Sequence, residues 1–347
     1  MKTLLMLAAA AVATPAPKPF PAPSEIVAAA PAGVWVAIAP ADLLVMDLAN
    51  DAKDKPRRVV IQLMPPPFSQ GWVGNIRKLA AARFWDGTSI NRVQDNYVVQ
   101  WGDATEKKAL PVGLATVPER EYSIRPTELS SSFRCNFDWN KVFPGKANSW
   151  KENPPIPFYS QSCTGRYKLV LSGTSGDPPD DLYDHIDAFS DYSSFNSGWP
   201  IAASTKPEAA WPVHCYGMVG VGRDMPPNTG TGAELYTVIG HAPRHLDRNI
   251  ALVGRVISGI EHLSSLPRGT GDLGFYKTPE ERTGITSVRI GTDVAGLPRY
   301  EYLSTESASF AAYADARANR RDPFFIVPAG GADICNIPVP VRVAKVQ

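Results

Sequence analysis

The stretch from Phe84 to Asp103 constrains this chain more than any other part of it. Phe84-Trp85-Asp86-Gly87-Thr88 carries a strong Asp-Gly turn signal and feeds the short run Ser89-Ile90-Asn91-Arg92-Val93. Asn96 then leads into a second run, Tyr97-Val98-Val99-Gln100-Trp101, which closes on Gly102. Arg92 and Gln100 each stand inside an otherwise apolar, strand-like run. Such a side chain must reach solvent or serve a purpose. Standing alone, the stretch would read as two half-buried strands with polar outward faces.

It does not stand alone. An aromatic-Asp-Gly-Thr turn before an arginine, followed by aromatic-x-x-Gln-x-Gly-Asp, resembles the signature of the cyclophilin-type peptidyl-prolyl isomerases. Further blocks follow in that family's order. Arg57-Arg58-Val59-Val60-Ile61-Gln62-Leu63-Met64-Pro65 resembles its second strand, and Asn75-Ile76-Arg77-Lys78-Leu79 a segment of its first helix. Pro227-Asn228-Thr229 with Glu234-Leu235-Tyr236 resembles a later strand, and Leu246-Asp247 with Val253-Gly254-Arg255-Val256 and Gly259 the segment after it. The resemblance implies a mainly β fold with some helices. Its centre is a closed antiparallel eight-stranded barrel, interrupted by a large inserted subdomain and followed by a C-terminal extension.

The 347 residues can bury a substantial core. Hydrophobic and charged fractions of 44% and 20% are those of an ordinary globular protein. A net charge of +1 supplies no global field for nucleic acid or an anionic membrane. Thirty-three prolines and 27 glycines point to many loops and few long helices.

Residues 1–16 read as a signal peptide. Lys2 precedes the apolar run 4–12, and Ala11-Val12-Ala13 supplies small residues for cleavage. The run is too short to span a bilayer, and no cysteine near it offers a lipid anchor. Residues 17–32 read as a Pro/Ala-rich linker, extended at its start. Export to a bacterial-type periplasm is the expectation. In an oxidising compartment the four cysteines read as disulfide partners rather than zinc ligands, since none has C-x-x-C spacing. Four cysteines allow three connectivities. Because Cys135 and Cys163 share one segment, Cys135–Cys163 with Cys215–Cys335 is preferred.

The family blocks divide the chain into a first barrel part, 33–103, an insertion, 104–212, a second barrel part, 213–296, and a C-terminal extension, 297–347. Residues 34–48 and 58–64 read as two strands. Residues 69–82 read as a helix, with Ser69 as N-cap and Val73, Ile76, Leu79 and Ala80 on one face. The barrel resumes over 214–222 and continues through 286–290. The insertion carries a short helical pattern, 180–189, and is too apolar for a plain linker. A second helix is expected over 306–321 with Phe310, Tyr313 and Ala314 inward, then an extended segment, 324–343.

The resemblance also assigns roles. Arg92 falls on the catalytic arginine, and Gln100 on a glutamine that holds the substrate backbone. Tyr97, Val98, Tyr236, Leu246 and Val253 fall on the walls and floor of a proline pocket, and His245 on an aromatic that also binds substrate. Gly222-Arg223 matches a small-plus-arginine pair beside the pocket, and Glu234 a second glutamine. Glu234 and Tyr236 are two apart and so share one strand face. Several positions depart from the family's pattern. Asn91, His245, Ile250, Val253, Trp101 and Glu234 replace, in turn, a histidine, an aromatic, a histidine or tyrosine, a phenylalanine, a glycine and a glutamine. The valine widens the pocket, while the tyrosines narrow it or add polar tips. Two readings follow: an exported isomerase acting on proline-containing polypeptides without a cofactor, or a catalytically weakened module that binds a proline-containing partner.

Other patterns carry less. His241 and His245 are four apart, but Pro243 breaks the helix a metal pair would need, so no metal site is expected. Thr229-Gly230-Thr231-Gly232 lacks the lysine of a phosphate loop. Asp180, Asp181, Asp184 and Asp187 fit a solvated helix start. No nucleophile elbow appears.

Overall fold

A computed structural model describes residues 20–125, 189–205, 207–327 and 331–345. The first described element is a helix, α1 (Pro23–Ala29), inside the segment expected to be a linker. Proline fits the first helical turn, and Glu25 accepts a hydrogen bond from the Ala22 N–H at 2.7 Å. Ile26 and Val27 pack on a cluster of Trp35, Leu303, Phe310, Tyr313 and Ile337, which explains why the segment is not a free linker.

The single strand expected over 34–48 is two. β1 (Trp35–Ile38) ends before Pro40, whose fixed φ and missing N–H favour the tight 3-10 turn Pro40–Asp42, and β2 (Leu43–Leu48) follows. Next come β3 (Arg57–Leu63), helix α2 (Gln70–Ala81), β4 (Ser89–Val93) and β5 (Val98–Gly102). β6 (Tyr192–Asn196), β7 (Trp199–Thr205) and β8 (Glu208–Pro212) form a three-stranded sheet. They are followed by β9 (Met218–Val221), β10 (Leu235–Val238), β11 (Leu252–Ser258), the short helix α3 (Glu261–Ser264) and β12 (Thr283–Ile290). The chain closes with β13 (Tyr300–Leu303), α4 (Ala308–Ala318) and β14 (Val341–Val343).

Eight strands close an antiparallel barrel in the order β10-β5-β4-β12-β2-β3-β11-β9. β2 and β3 are apolar on both faces, and the reason is visible in their packing. Leu44, Met46, Val59 and Ile61 point into the main core. Leu43, Val45 and Val60 point outward and are covered by Ile38 of β1 and Tyr300 of β13. The C-terminal extension is therefore a lid over one barrel wall, paired with β1 as the sheet β1-β13-β14.

Helix α2 buries Trp72, Val73, Ile76, Leu79 and Ala80 against the core. Ser69 precedes it but does not cap it: its backbone is left-handed (φ 55°), and a hydroxyl caps from extended backbone. Gln70 instead ties the helix start, donating to the carbonyls of Met64 and Phe68 at 3.0 and 2.8 Å. α4 is shorter than expected, starting at Ala308 behind Ser307, whose Oγ accepts from the Phe310 N–H at 3.1 Å. Phe310, Tyr313 and Ala314 are buried on it. The expected extended segment after it contains a 3-10 turn, Ile334–Asn336, before β14.

The described flanks of the insertion belong to the barrel's own core. Val117, Tyr122, Trp199, Ile201 and Trp211 lie in the main cluster. Tyr122 stacks on Trp72 at 5.4 Å, and Ile124 pairs with Ala210. Arg255 of β11 reaches the β6–β7 turn, donating to the Gly198 carbonyl at 2.7 Å and stacking over Trp199 at 4.5 Å. Residues 126–188, with the expected helical pattern up to 188, Cys135 and Cys163, lie outside the described residues. Cys215 and Cys335 are joined by a disulfide. Among the described residues, no helix is long and apolar enough to cross a membrane.

Candidate active site

Cross-strand register assembles the site. Arg92 of β4 stands opposite Gln100 of β5, after an irregularity between Ile90 and Arg92. Gln100 stands opposite Tyr236 of β10, and Tyr236 opposite Gly220 of β9. Directly opposed residues share a sheet face, so these four form a row on one side of the wall. Alternation puts Val98 and Val238 on that same side, while Val99, Trp101 and Leu235 fill the core. The outer side carries a small apolar cluster of its own: Val98, Tyr236 and Val238, with Tyr97, Leu246 and Ile250 packed against it. Arg92 and Gln100 flank this cluster.

Arg92 is half-buried and held on several sides. Its Nε donates to the Leu273 carbonyl at 2.8 Å, Nη1 donates to Gln100 Oε1 at 3.3 Å, and Nη2 donates to Gln94 Oε1. The guanidinium lies over the rings of Tyr97 and Phe275, 5.5 and 5.2 Å from their centroids. Burial draws its pKa below that of a free guanidinium. Arginine starts so high that it stays cationic at neutral pH. These bonds use three of its five N–H groups. Asn91 turns the other way, donating to the Gly102 carbonyl at 3.1 Å.

Gln100 links Arg92 to Glu234. Its Oε1 accepts from Arg92, and its side chain also hydrogen-bonds the Glu234 carboxylate. Burial pushes Glu234 up to about 7, with Asp103 and Glu106 adding like charge, against the opposing bonds from Gln100 and the Asp103 backbone. Two glycines make room for this arrangement. A Cβ on Gly102 would collide with the Glu234 carboxylate, and one on Gly222 would stand 2.9 Å from the Glu234 Cβ.

Other expected residues are distributed unevenly. Tyr97 stacks on the exposed His245 at 6.4 Å, forming one rim of the apolar cluster. Arg223 is committed to its loop: Nε and Nη2 donate to the Asn249 carbonyl at 3.1 and 3.0 Å, and Nη1 to that of Asp224 at 2.7 Å. Val253 lies in the main core and is not part of the outer cluster. Its strand shifts register between Leu252 and Gly254, so a position expected on the pocket floor faces inward. Tyr236 adds no polar tip to the outer face, since its hydroxyl meets the buried His214 Nε2 at 2.9 Å.

Sequence reasoning missed His214, Asp247, Phe275 and Leu273. His214 reaches Asp247 across 33 residues, and Arg92 reaches Leu273 across 181. Asp247, inside the matched block Leu246-Asp247, was given no role there and offered the one available signal. Among the described residues, no three His, Cys, Asp or Glu side chains gather as a metal site.

Residues 58–290 match the family described as cyclophilin type peptidyl-prolyl cis-trans isomerase/CLD. Among solved structures, the chain is similar to the cyclophilin AquaCyp293 from Hirschia baltica, with a TM-score of 0.57 and 20% identity over 90% of this chain and 95% of that one. It is also matched to a Cryptosporidium parvum cyclophilin type peptidyl-prolyl cis-trans isomerase, crystallised in the presence of the dipeptide Ala-Pro. That match has a TM-score of 0.33 and 10% identity over 71% of this chain and 98% of that one. No curated protein matches the sequence.

Proposed function

Since the chain belongs to the cyclophilin-type peptidyl-prolyl cis-trans isomerase family, we propose that Arg92 and the outer cluster beside it are where it turns X-Pro bonds. The observation that carries this reading is the opposed pair Arg92–Gln100 flanking an apolar patch outside the barrel core. Proline seats its ring on Val98, Tyr236 and Leu246, between Tyr97 and the β10 wall. Gln100 anchors the substrate backbone.

The chemistry is non-covalent. Rotating an X-Pro bond costs about 20 kcal/mol because amide resonance is lost. At the twisted geometry the proline nitrogen becomes pyramidal and regains a lone pair. The two remaining N–H groups of Arg92 can donate to it only then, which lowers the barrier without tightening the ground state. One such charge-assisted bond is worth about 1.5–3 kcal/mol, or roughly one to two decades of rate. The apolar seat and the backbone anchor supply further stabilisation.

The clients are proline-containing segments of exported proteins, and the enzyme works in the periplasm. Lys2, the apolar run 4–12 and Ala11-Val12-Ala13 support that placement. A second reading, a binding module with weakened turnover, is favoured by Glu234 at a glutamine position. A protease-free exchange assay on an Ala-Pro tetrapeptide separates them. Isomerisation by the wild type supports the enzyme; binding without accelerated exchange supports the module.

A further inference from the structure

Behind the apolar cluster lies a buried polar relay that the proposed chemistry does not use. His214, Tyr236, Arg244 and Asp247 are each at most 5% exposed. The Asp247 Oδ1 accepts from both the backbone N–H and the ring Nδ1–H of His214, at 3.0 and 2.8 Å. A carboxylate only accepts, so Nδ1 carries a proton, and in the neutral imidazole Nε2 is then left as an acceptor. Tyr236 therefore donates its hydroxyl inward, at 2.9 Å, with its ring nearly parallel to the imidazole. Burial opposes ionisation of Asp247, yet His214 and Arg244 outweigh it and hold the carboxyl below its ordinary range.

The relay is anchored from the C-terminal extension. Arg244 donates to the other Asp247 oxygen at 2.8 Å and pairs with Asp333 at 3.6 Å. Asp333 caps the turn that carries Cys335, accepting its N–H at 2.8 Å. Cys335 is joined to Cys215, the residue after His214. The contacts close a ring from His214 through Asp247, Arg244, Asp333 and the disulfide back to His214.

We propose that His214 and Asp247 are positioning residues for the isomerase, holding the Tyr236 hydroxyl inward so that the pocket wall is a bare aromatic face, and that Asp333 anchors them from the C-terminal extension. The inference rests on the reading that Tyr236 lines the proline seat. A hydroxyl without its acceptor is costly to leave buried. Deprived of His214, the phenol turns toward the groove and places a polar group where the proline ring must sit. The ring next to it has space only because position 220 has no Cβ.

The test is a cycle of variants in the full-length, oxidised protein, read as kcat and KM on an Ala-Pro tetrapeptide. His214→Leu is expected to raise KM by about fivefold or more, from the loss of one buried hydrogen bond. The same change in a Tyr236→Phe background is expected to cost less than about twofold, because no hydroxyl then needs an acceptor. Asp333→Ala, at a half-exposed position, is expected to follow the same pattern with a smaller rise. Equal losses in both backgrounds would reduce His214 to packing and overturn the proposal. The imidazole 15N shifts of His214 are read alongside. Tyr236→Phe should move the Nε2 signal, and an unmoved signal overturns the relay whether or not the enzyme turns over. A wild type inactive on X-Pro peptides, with that signal moved, would instead sink the isomerase reading and leave the relay standing.

Discussion

Gly220 and Tyr236 face each other across β9 and β10, and any Cβ on Gly220 would collide with the Tyr236 phenol ring. The glycine at one position and the tyrosine at the other are two halves of one packing solution. Gly220→Ala should push the ring outward into the proposed proline seat. Overpacking of this kind costs about 1–3 kcal/mol. We expect a lower urea midpoint together with a raised KM. Tyr236→Phe on top should relieve little of it, because the ring carbons also clash. An unchanged KM would remove Tyr236 from the seat.

Arg92 is held between Tyr97 and Phe275, and its remaining donors carry the proposed rate enhancement. Arg92→Ala should lower kcat/KM at least about tenfold, and because it also removes three hydrogen bonds and two ring contacts, a urea melt is read beside it to separate lost stability from lost rate. Arg92→Lys should recover little, because an ammonium lacks the planar fork. Phe275→Ala removes one exposed stacking face worth about 0.5–1 kcal/mol and should lower kcat/KM by roughly two- to fivefold. Equal turnover by wild type and Arg92→Ala would end this mechanism for the chain.

Glu234 makes the stability depend on pH in an unusual direction. Its carboxyl titrates near 4.5 when unfolded and at about 7 when folded, burial being the main cause. Between those values the native state holds a proton the unfolded state has lost, so stability falls as pH rises through that window. Above about pH 7 the full penalty is present, no more than about 3.4 kcal/mol for about 2.5 units at 1.36 kcal/mol per unit. Glu234→Gln should remove that slope. Urea melts of both proteins at pH 5, 6, 7 and 8 give the difference directly, and parallel curves would show that the carboxyl titrates normally.

The Cys215–Cys335 disulfide ties the barrel to the C-terminal extension across a separation of 120 residues. On the proposed export to an oxidising compartment, thiol titration of denatured, unreduced protein should find none of the four cysteines free. Cys335→Ser should lower the melting temperature, since the unfolded chain loses a constraint on a long loop. Reactive thiols in periplasmic material would contradict this pairing or the export itself.

The hairpin chemistry was legible in the chain locally, while the barrel was implied by the resemblance of several blocks to the cyclophilin-type isomerases. The Asp86-Gly87 turn, the apolar runs of β4 and β5, and the isolated Arg92 and Gln100 are local signals, because strand alternation and turn preference act over a few residues. The tertiary structure alone decided the rest. Ser69 could not be seen to fail as a cap, because its left-handed backbone is set by the packed chain around it. Val253 faces the core because β11 shifts register beside β9, a property of the pair. The charge state of Glu234 depends on burial, and the inward turn of Tyr236 depends on His214, 22 residues earlier in the chain. The apolar outer faces of β2 and β3 find their cover more than 200 residues later, at Tyr300. Such facts are absent from any local window because they arise from desolvation and contact between distant segments, which exist only once the barrel has closed.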